Sequence, residues 1–115
     1  MSNLPTIFAA LSDTTRFAIV QRLLAEGELP AGVIAEAFPI SGAAVSRHLE
    51  VLTRSGLVHR RANRQQRLYS VVPESIEQIS IWTMSHRDFW ENSLRRLERA
   101  LLQEGGAVRR MRTSL

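Results

Sequence analysis

The chain of 115 residues contains no cysteine. That absence excludes disulfides, thiolate metal sites and cysteine nucleophiles together. No stretch approaches the roughly 20 apolar residues that a membrane-spanning helix requires. Residues 1–8 also lack the cationic start and the apolar run of a secretory signal. We therefore expect a cytoplasmic protein with one domain of ordinary size and no membrane segment.

Lysine is absent as well, so all 15 basic residues are arginines. Residues 47–67 carry a net charge of +5, whereas the whole chain carries +4, so the remainder is close to neutral. A strongly positive segment on a near-neutral body is typical of a polyanion-binding protein, although a solvated charged face has the same composition. We call the six arginines of this segment the basic strip: Arg47, Arg54, Arg60, Arg61, Arg64 and Arg67.

Apolar spacing predicts four helices in the first half of the chain. The first covers about residues 4–11, and Asp13 is a suitable N-cap for the second, which ends near Gly27. A short third helix covers about residues 30–37. Ser41 caps the fourth helix, and Gly56 stands where a left-handed residue ends it.

From Leu57 onwards the pattern changes to that of a β-hairpin. Residues 57–62 and 67–72 are predicted strands, joined by a turn at residues 63–66 in which Asn63 tolerates a positive φ. Pro73 then opens a last helix of about residues 74–104, which would be about 45 Å long if continuous. Residues 105–115, after a double glycine, are predicted to form a flexible basic tail behind one domain of residues 1–104.

Two short helices followed at once by a hairpin form a winged helix-turn-helix, a mainly α fold with a β-hairpin wing. The fourth helix turns Val45, Leu49 and Leu52 inwards and leaves small residues and Arg47 outside, where a base edge can be reached. Arginine and glutamine at the wing suit a narrow minor groove, although they can also be merely solubilising turn residues. The predicted DNA-binding residues are Ser41, Gly42, Ala43, Ser46, Arg47, His48, Arg54, Arg61, Arg64, Gln65 and Arg67.

Over about residues 7–102 the chain resembles the ArsR family of transcriptional regulators. The matching segments are residues 10–16 (ALSDTTR), 45–49 (VSRHL) and 55–58 (SGLV), together with Leu52, Arg64 and Tyr69. The resemblance implies a dimer that occupies an operator and leaves it when an effector binds. It also implies that Ser46, Arg47 and His48 contact DNA from the recognition helix and that Arg64 does so from the wing.

The chain departs from metal-sensing members of that family at the third helix. Those members carry a paired-cysteine box at the helix start, where this chain has residues 28–32 (ELPAG). The last helix holds His86, Asp88 and Glu91 but no second histidine to complete a tetrahedral zinc set. We therefore expect no metal and no cofactor, and an effector whose identity the sequence leaves open.

The last helix carries an apolar stripe with spacings of four, three and four, and the first helix has an apolar face of its own. We expect both helices to pair with their copies across a two-fold axis, which makes an inverted-repeat operator in duplex DNA the matching target. The predicted dimer contacts are Ile7, Phe8, Leu11, Trp90, Leu94, Leu97 and Leu101.

Two other functions fit the same fold. A DNA-architectural protein would use it without sequence preference, and a winged-helix protein-interaction module would bind no DNA at all. An enzyme is not expected, because the sequence has no Gly-rich phosphate loop and no catalytic spacing of serine or carboxylates with histidine.

Overall fold

The computed structural model describes residues 3–103. The chain divides after Ser80 into two compact units. The predicted flexible tail, residues 105–115, lies outside the described residues. No helix of the described part is long and apolar enough to cross a membrane.

The helices of the first unit begin and end at residues whose side chains or backbone suit those positions. The Asp13 carboxylate accepts a hydrogen bond from the Arg16 backbone N–H (3.0 Å), and Ser41 Oγ accepts one from the Ala44 N–H (3.1 Å). Gly56 has a φ of +86° directly after the fourth helix. Both caps and this stop confirm the predictions. The helices are α1 (Leu4–Leu11), α2 (Thr14–Glu26), α3 (Ala31–Glu36) and α4 (Gly42–Arg54), followed by the start of α5 (Pro73–Ser85).

Three antiparallel strands form the sheet: β1 (Leu29–Pro30), β2 (Val58–Asn63) and β3 (Gln66–Val71). Their order is β1-β3-β2, so β3 lies in the middle of the sheet. The hairpin of β2 and β3 confirms the predicted wing, but β1 was not predicted. The prediction placed Pro30 in α3, whereas it lies in this short edge strand, a position in which proline is tolerated.

The wing turn is tighter than predicted. Asn63 pairs with Gln66 at the ends of the strands, so the loop contains two residues, Arg64 and Gln65. The positive φ falls on Arg64, at +59°, and not on Asn63. The prediction of a four-residue turn with Asn63 in the left-handed region was therefore wrong, because strand pairing extends one residue further at each end.

The core of the first unit is contributed by every helix before the wing and by the sheet. Helix α4 supplies Val45, Leu49 and Leu52, all at most 1% exposed. This burial confirms the predicted inner face of the recognition helix. The buried cluster comprises Ile7, Ala10, Ile19, Val20, Leu23, Ile34, Val45, Leu49, Leu52, Leu57, Val58 and Tyr69.

The predicted continuous last helix is instead two helices, α5 and α6 (Arg87–Leu102), which are separated at His86. In an unbroken helix the Trp82 carbonyl would accept the His86 N–H. Here Ser85 Oγ donates to that carbonyl (2.8 Å), His86 Nδ1 lies 2.9 Å from it, and the His86 N–H bonds to Thr83 instead. Side-chain groups thus compete with the backbone for one carbonyl and end α5.

Candidate nucleic-acid interface

Helix α4 divides its surface between the core and solvent. On the side opposite Val45, Leu49 and Leu52, a second set of side chains is exposed at helical spacing. Its members are Ala43, Arg47, Glu50 and Arg54. This stripe is the part of α4 that is free to enter a major groove about 12 Å wide.

The first turn of α4 is exposed and small. Ser41, Gly42 and Ala43 are all exposed, and a Cβ added at Gly42 would meet no atom within 4 Å. Ser46 and Arg47 follow on the surface one turn later. Small side chains at the start of the helix leave room for a base edge or a phosphate to approach its free N–H groups.

The structure separates the six arginines of the basic strip into two groups. Two of them are ion-paired: Arg54 with Glu50 on the same helix, and Arg61 with Glu28 across the sheet. The other four make no ion pair with any carboxylate among residues 3–103. These unpaired arginines are Arg47, Arg60, Arg64 and Arg67. We expect them to supply most of the electrostatic attraction to a polyanion.

Arg61 lies on β2 and reaches over the central strand to Glu28, which precedes β1. Its Nε and Nη2 donate to the two Glu28 carboxylate oxygens, each at 2.7 Å, in a two-pronged ion pair. The hydrogen bond from Arg61 and its positive charge hold the pKa of Glu28 below its usual value. The same hydrogen bond and the negative charge of Glu28 raise the pKa of Arg61. A DNA contact by Arg61 stays a prediction, and it would have to compete with this carboxylate.

Arg60 was counted in the basic strip but not among the DNA contacts, and its side chain is exposed and unpaired. Successive residues of a strand point to opposite faces, so Arg60 and Arg61 leave the sheet in opposite directions. That alternation was the signal in the sequence that could have separated the two.

The wing tip places Arg64 in a conformation that arginine rarely adopts. A two-residue loop with a positive φ at its first position usually has glycine there. A non-glycine residue in the left-handed region costs about 1–3 kcal/mol. Such strain at an exposed, charged loop tip is consistent with a residue kept for its side chain. Gln65, beside it, is also exposed, and Gln65 and Arg67 border a shallow depression of about 500 Å³ next to α3.

Replacing Arg64 by glycine should therefore stabilise the free protein and weaken DNA binding. We expect the free energy of unfolding to rise by up to about 1 kcal/mol, since the relief of strain exceeds the added chain entropy. Urea denaturation and DNA titration of one preparation measure both quantities. The matched control is Gln65→Gly, where φ is not positive and glycine should destabilise. A loss of stability in Arg64→Gly would contradict the strain argument.

His48 does not share the exposed face of α4. Its ring is half-buried and turns towards the start of α2, with Nδ1 3.3 Å from Nη1 of Arg16 and 3.8 Å from Oδ2 of Asp13. The Arg16 backbone N–H, above all, and the nearby His48 and Arg16 side chains hold the pKa of Asp13 below its usual value. The predicted contact of His48 with DNA stays a prediction, and this placement offers a different role.

Two side chains of the second unit that could ligate a metal, His86 and Glu91, are occupied by local contacts. Glu91 accepts a hydrogen bond from Arg87 (2.8 Å), which lowers the pKa of the carboxyl, and His86 Nδ1 faces the Trp82 carbonyl. Within residues 3–103 no three His, Asp or Glu side chains gather closely enough to hold a metal ion.

The residues predicted to form the dimer contact differ in exposure. Ile7 is 1% exposed and belongs to the core, so it can contribute only by holding α1 in place. Phe8 is 39% exposed and Leu11 is half-buried. On α6, three members of the predicted stripe are exposed and Leu101 is half-buried. The exposed members are Trp90, Leu94 and Leu97, at 43%, 64% and 47%.

Comparison with known proteins gives the class of this fold. A family model described as a helix-turn-helix domain matches residues 11–61. The chain is 38% identical over 96 residues to the HTH-type transcriptional regulator Rv2034 of Mycobacterium tuberculosis, a match that covers 84% of this chain and 86% of that protein. It is 32% identical over 88 residues to the transcriptional repressor SdpR of Bacillus subtilis, covering 76% and 97%.

Solved structures that superimpose on this chain include transcriptional regulators as well. An ArsR-like transcriptional regulator from Rhodococcus sp. RHA1 superimposes with a TM-score of 0.67 at 26% identity, covering 91% of this chain and 94% of that one. The winged helix-turn-helix domain of a possible ArsR-family regulator from Mycobacterium bovis, described as homodimeric, superimposes at 0.60, covering 78% and 83%; at 23% identity it supports the fold alone.

The fold, the exposed recognition helix and these relatives define a transcriptional regulator with a helix-turn-helix DNA-binding domain. More particularly, the chain belongs to the ArsR family of winged helix-turn-helix regulators.

Proposed function

We propose that this protein is a homodimeric repressor that binds an inverted-repeat operator and leaves it when an effector other than a thiolate-bound metal binds. The observation that carries the proposal is Arg47, which is exposed on the face of α4 opposite the core and makes no ion pair among the described residues. A long cation in that position, left without a carboxylate partner, is available for an external anion or base acceptor.

Arg47, the exposed start of α4 and Arg64 each have a matching target on duplex DNA. Arg47 would donate to the O6 and N7 acceptors of guanine, a contact that contributes about 1–3 kcal/mol of discrimination when both are bonded. The exposed start of α4 would receive a phosphate on its free N–H groups. Arg64 would enter the minor groove beside the site, where a narrow groove concentrates negative potential.

Two copies are needed to read an inverted repeat. The exposed stripe of α6, together with Phe8 and Leu11 of α1, would be buried against a second copy of this chain. Each fully buried leucine would contribute about 1.5–3 kcal/mol. The dimer would hold its two recognition helices about 34–36 Å apart, or a multiple of that distance.

Repression follows from occupying a promoter, and the name of the B. subtilis relative as a repressor supports it. Induction requires an effector with different affinities for the free and the DNA-bound protein, because equal affinities would shift nothing. The chain has no cysteine, so the effector would be held by other groups.

Footprinting of the DNA upstream of the protein's own gene tests the proposal. We expect protection of a short inverted repeat that survives excess random DNA, and Arg47→Ala should weaken it at least tenfold while relaxing preference at one guanine. The control is Arg54→Ala, which removes a similar side chain already paired with Glu50. Uniform protection would instead indicate an architectural protein, and absence of salt-dependent binding would indicate a protein-interaction module.

A further inference from the structure

A three-residue cluster joins the recognition helix to the start of α2. His48 lies on α4, Asp13 is the N-cap of α2, and Arg16 lies in the first turn of α2. The His48 Nδ1 lies 3.3 Å from Arg16 Nη1 and 3.8 Å from Asp13 Oδ2. Because a guanidinium can only donate, the contact with Arg16 is a hydrogen bond when Nδ1 carries no proton, and the contact with Asp13 is an ion pair when both ring nitrogens are protonated. The ring therefore has a partner both as the neutral tautomer with its proton on Nε2 and as the charged imidazolium.

The two partners of His48 are themselves fixed. Arg16 Nε donates to the Ala10 carbonyl at the end of α1 (2.7 Å), and the Asp13 carboxylate accepts the Arg16 backbone N–H. The cluster thus ties the end of α1, the start of α2 and the middle of α4 to one another. It is part of the scaffold that carries the recognition helix, and its side chains are only partly exposed to solvent.

The position of His48 on α4 differs from that of its neighbour Arg47. Successive residues of a helix are about 100° apart, so His48 lies beside the buried stripe of Leu49 and Leu52 while Arg47 lies on the outer face. Its side chain is 23% exposed. An imidazole in this position, held by Arg16 of α2 or by the cap residue Asp13 according to its protonation, is poorly placed to leave the scaffold for a base.

We propose that His48 is a positioning residue for DNA binding: its contacts with Asp13 and Arg16 fix the rotation of α4 about its axis and thereby aim Arg47 and Ser46. This proposal rests on the proposed DNA-binding function. A rotation of about 20° moves an atom about 6 Å from the helix axis by about 2 Å. A hydrogen bond does not survive a displacement of that size. Loosening the cluster would therefore weaken the base contacts of Arg47 and Ser46, although the cluster itself touches no base.

A double-mutant cycle distinguishes positioning from direct contact, using as probe the upstream duplex that the wild-type protein protects. Asp13→Ser removes the carboxylate but keeps an N-cap oxygen, so α2 stays capped. We expect His48→Ala to weaken binding about tenfold, Asp13→Ser to weaken it less, and the pair to be no weaker than His48→Ala alone. The slope of log affinity against log salt should not change, since no phosphate contact is lost.

Two further variants complete the design. His48→Asn keeps a hydrogen-bonding atom near Arg16 and should recover part of the lost affinity, whereas His59→Ala removes an exposed histidine of β2 and serves as the control. Additive losses in the cycle, or a salt slope reduced by about 0.9 per protomer, would show that His48 touches DNA and overturn the proposal. So would wild-type affinity in His48→Ala.

The cluster can also be tested in the free protein, which separates its failure from that of the DNA-binding function. The ¹⁵N chemical shifts of the His48 imidazole should change in Asp13→Ser, while those of His59 stay constant. Unchanged His48 shifts would overturn the proposal even if the protein binds DNA. Changed shifts in a protein that binds no DNA would overturn the proposed function and leave the cluster a structural one, so the positioning role would fall with it.

Discussion

Replacing Leu94 and Leu97 by glutamate should convert the dimer into monomers and lower operator affinity by about 100- to 10,000-fold. Both side chains are exposed in the single chain, at 64% and 47%, so the substitutions should leave the protomer fold intact. Burying two carboxylates from each protomer at a two-fold interface without partners costs several kcal/mol. A monomer also loses the advantage of a linked second half-site, which accounts for the predicted range.

Sedimentation velocity at micromolar protein measures the first effect, and titration of an operator duplex measures the second. The matched control is Asn92→Glu with Arg99→Gln, which lowers the net charge by the same two units on the opposite face of α6. That control should remain dimeric. A Leu94/Leu97 variant that still sediments as a dimer would place the interface elsewhere, and a control that dissociates would implicate net charge rather than the apolar stripe.

Local signals were enough to predict most of the elements of the first unit. Asp13 and Ser41 each cap a helix within three residues of their own position, and Gly56 ends one with its own backbone. These features depend on neighbours in sequence, which is why propensity and spacing find them. The inner face of α4 followed from the spacing of its apolar residues in the same way.

The errors concern hydrogen bonds that the spacing of apolar residues does not encode. Strand β1 exists only because Leu29 pairs with Tyr69, forty residues later in the chain. The helix break at His86 depends on which donor captures the Trp82 carbonyl. A helical pattern of apolar residues is compatible with either outcome, since such a competition concerns a single hydrogen bond.

The prediction of the candidate site was also limited by contacts that the sequence pattern does not show. The sequence counts the arginines of the basic strip but not the carboxylates that meet them, and Glu28 lies 33 residues from Arg61. For His48 the signal was present, because helical spacing alone puts it on the flank of the buried stripe. Its assignment to DNA followed from the family resemblance, and the structure adds the neighbours that suggest a different role.

The second large effect on operator binding is expected from the arginines of the basic strip that make no ion pair among the described residues. Replacing Arg47, Arg60, Arg64 and Arg67 together by glutamine should abolish measurable operator binding at physiological salt. If Arg60, Arg64 and Arg67 each neutralise one phosphate in both protomers, Arg64 doing so from the minor groove, the slope of log affinity against log salt should fall in magnitude by about 5. The same protein at low salt, where the remaining attraction is unscreened, should still allow that slope to be measured.

The comparison variant is Arg54→Gln with Arg61→Gln, which removes two arginines whose charge is already offset by Glu50 and Glu28. If those ion pairs persist on DNA, the slope changes by less than one, although affinity falls to the extent that the Glu28 contact holds the wing. A slope reduced by about 3.6 would mean that both ion pairs open and that all four cations of the dimer reach phosphates.

If the ion pair with Glu28 opens on DNA, Glu28→Gln would strengthen binding, because it frees Arg61 without removing it. We expect the opposite: Glu28→Gln weakens binding, since Arg61 acts by fixing β2 to β1 and loses its partner.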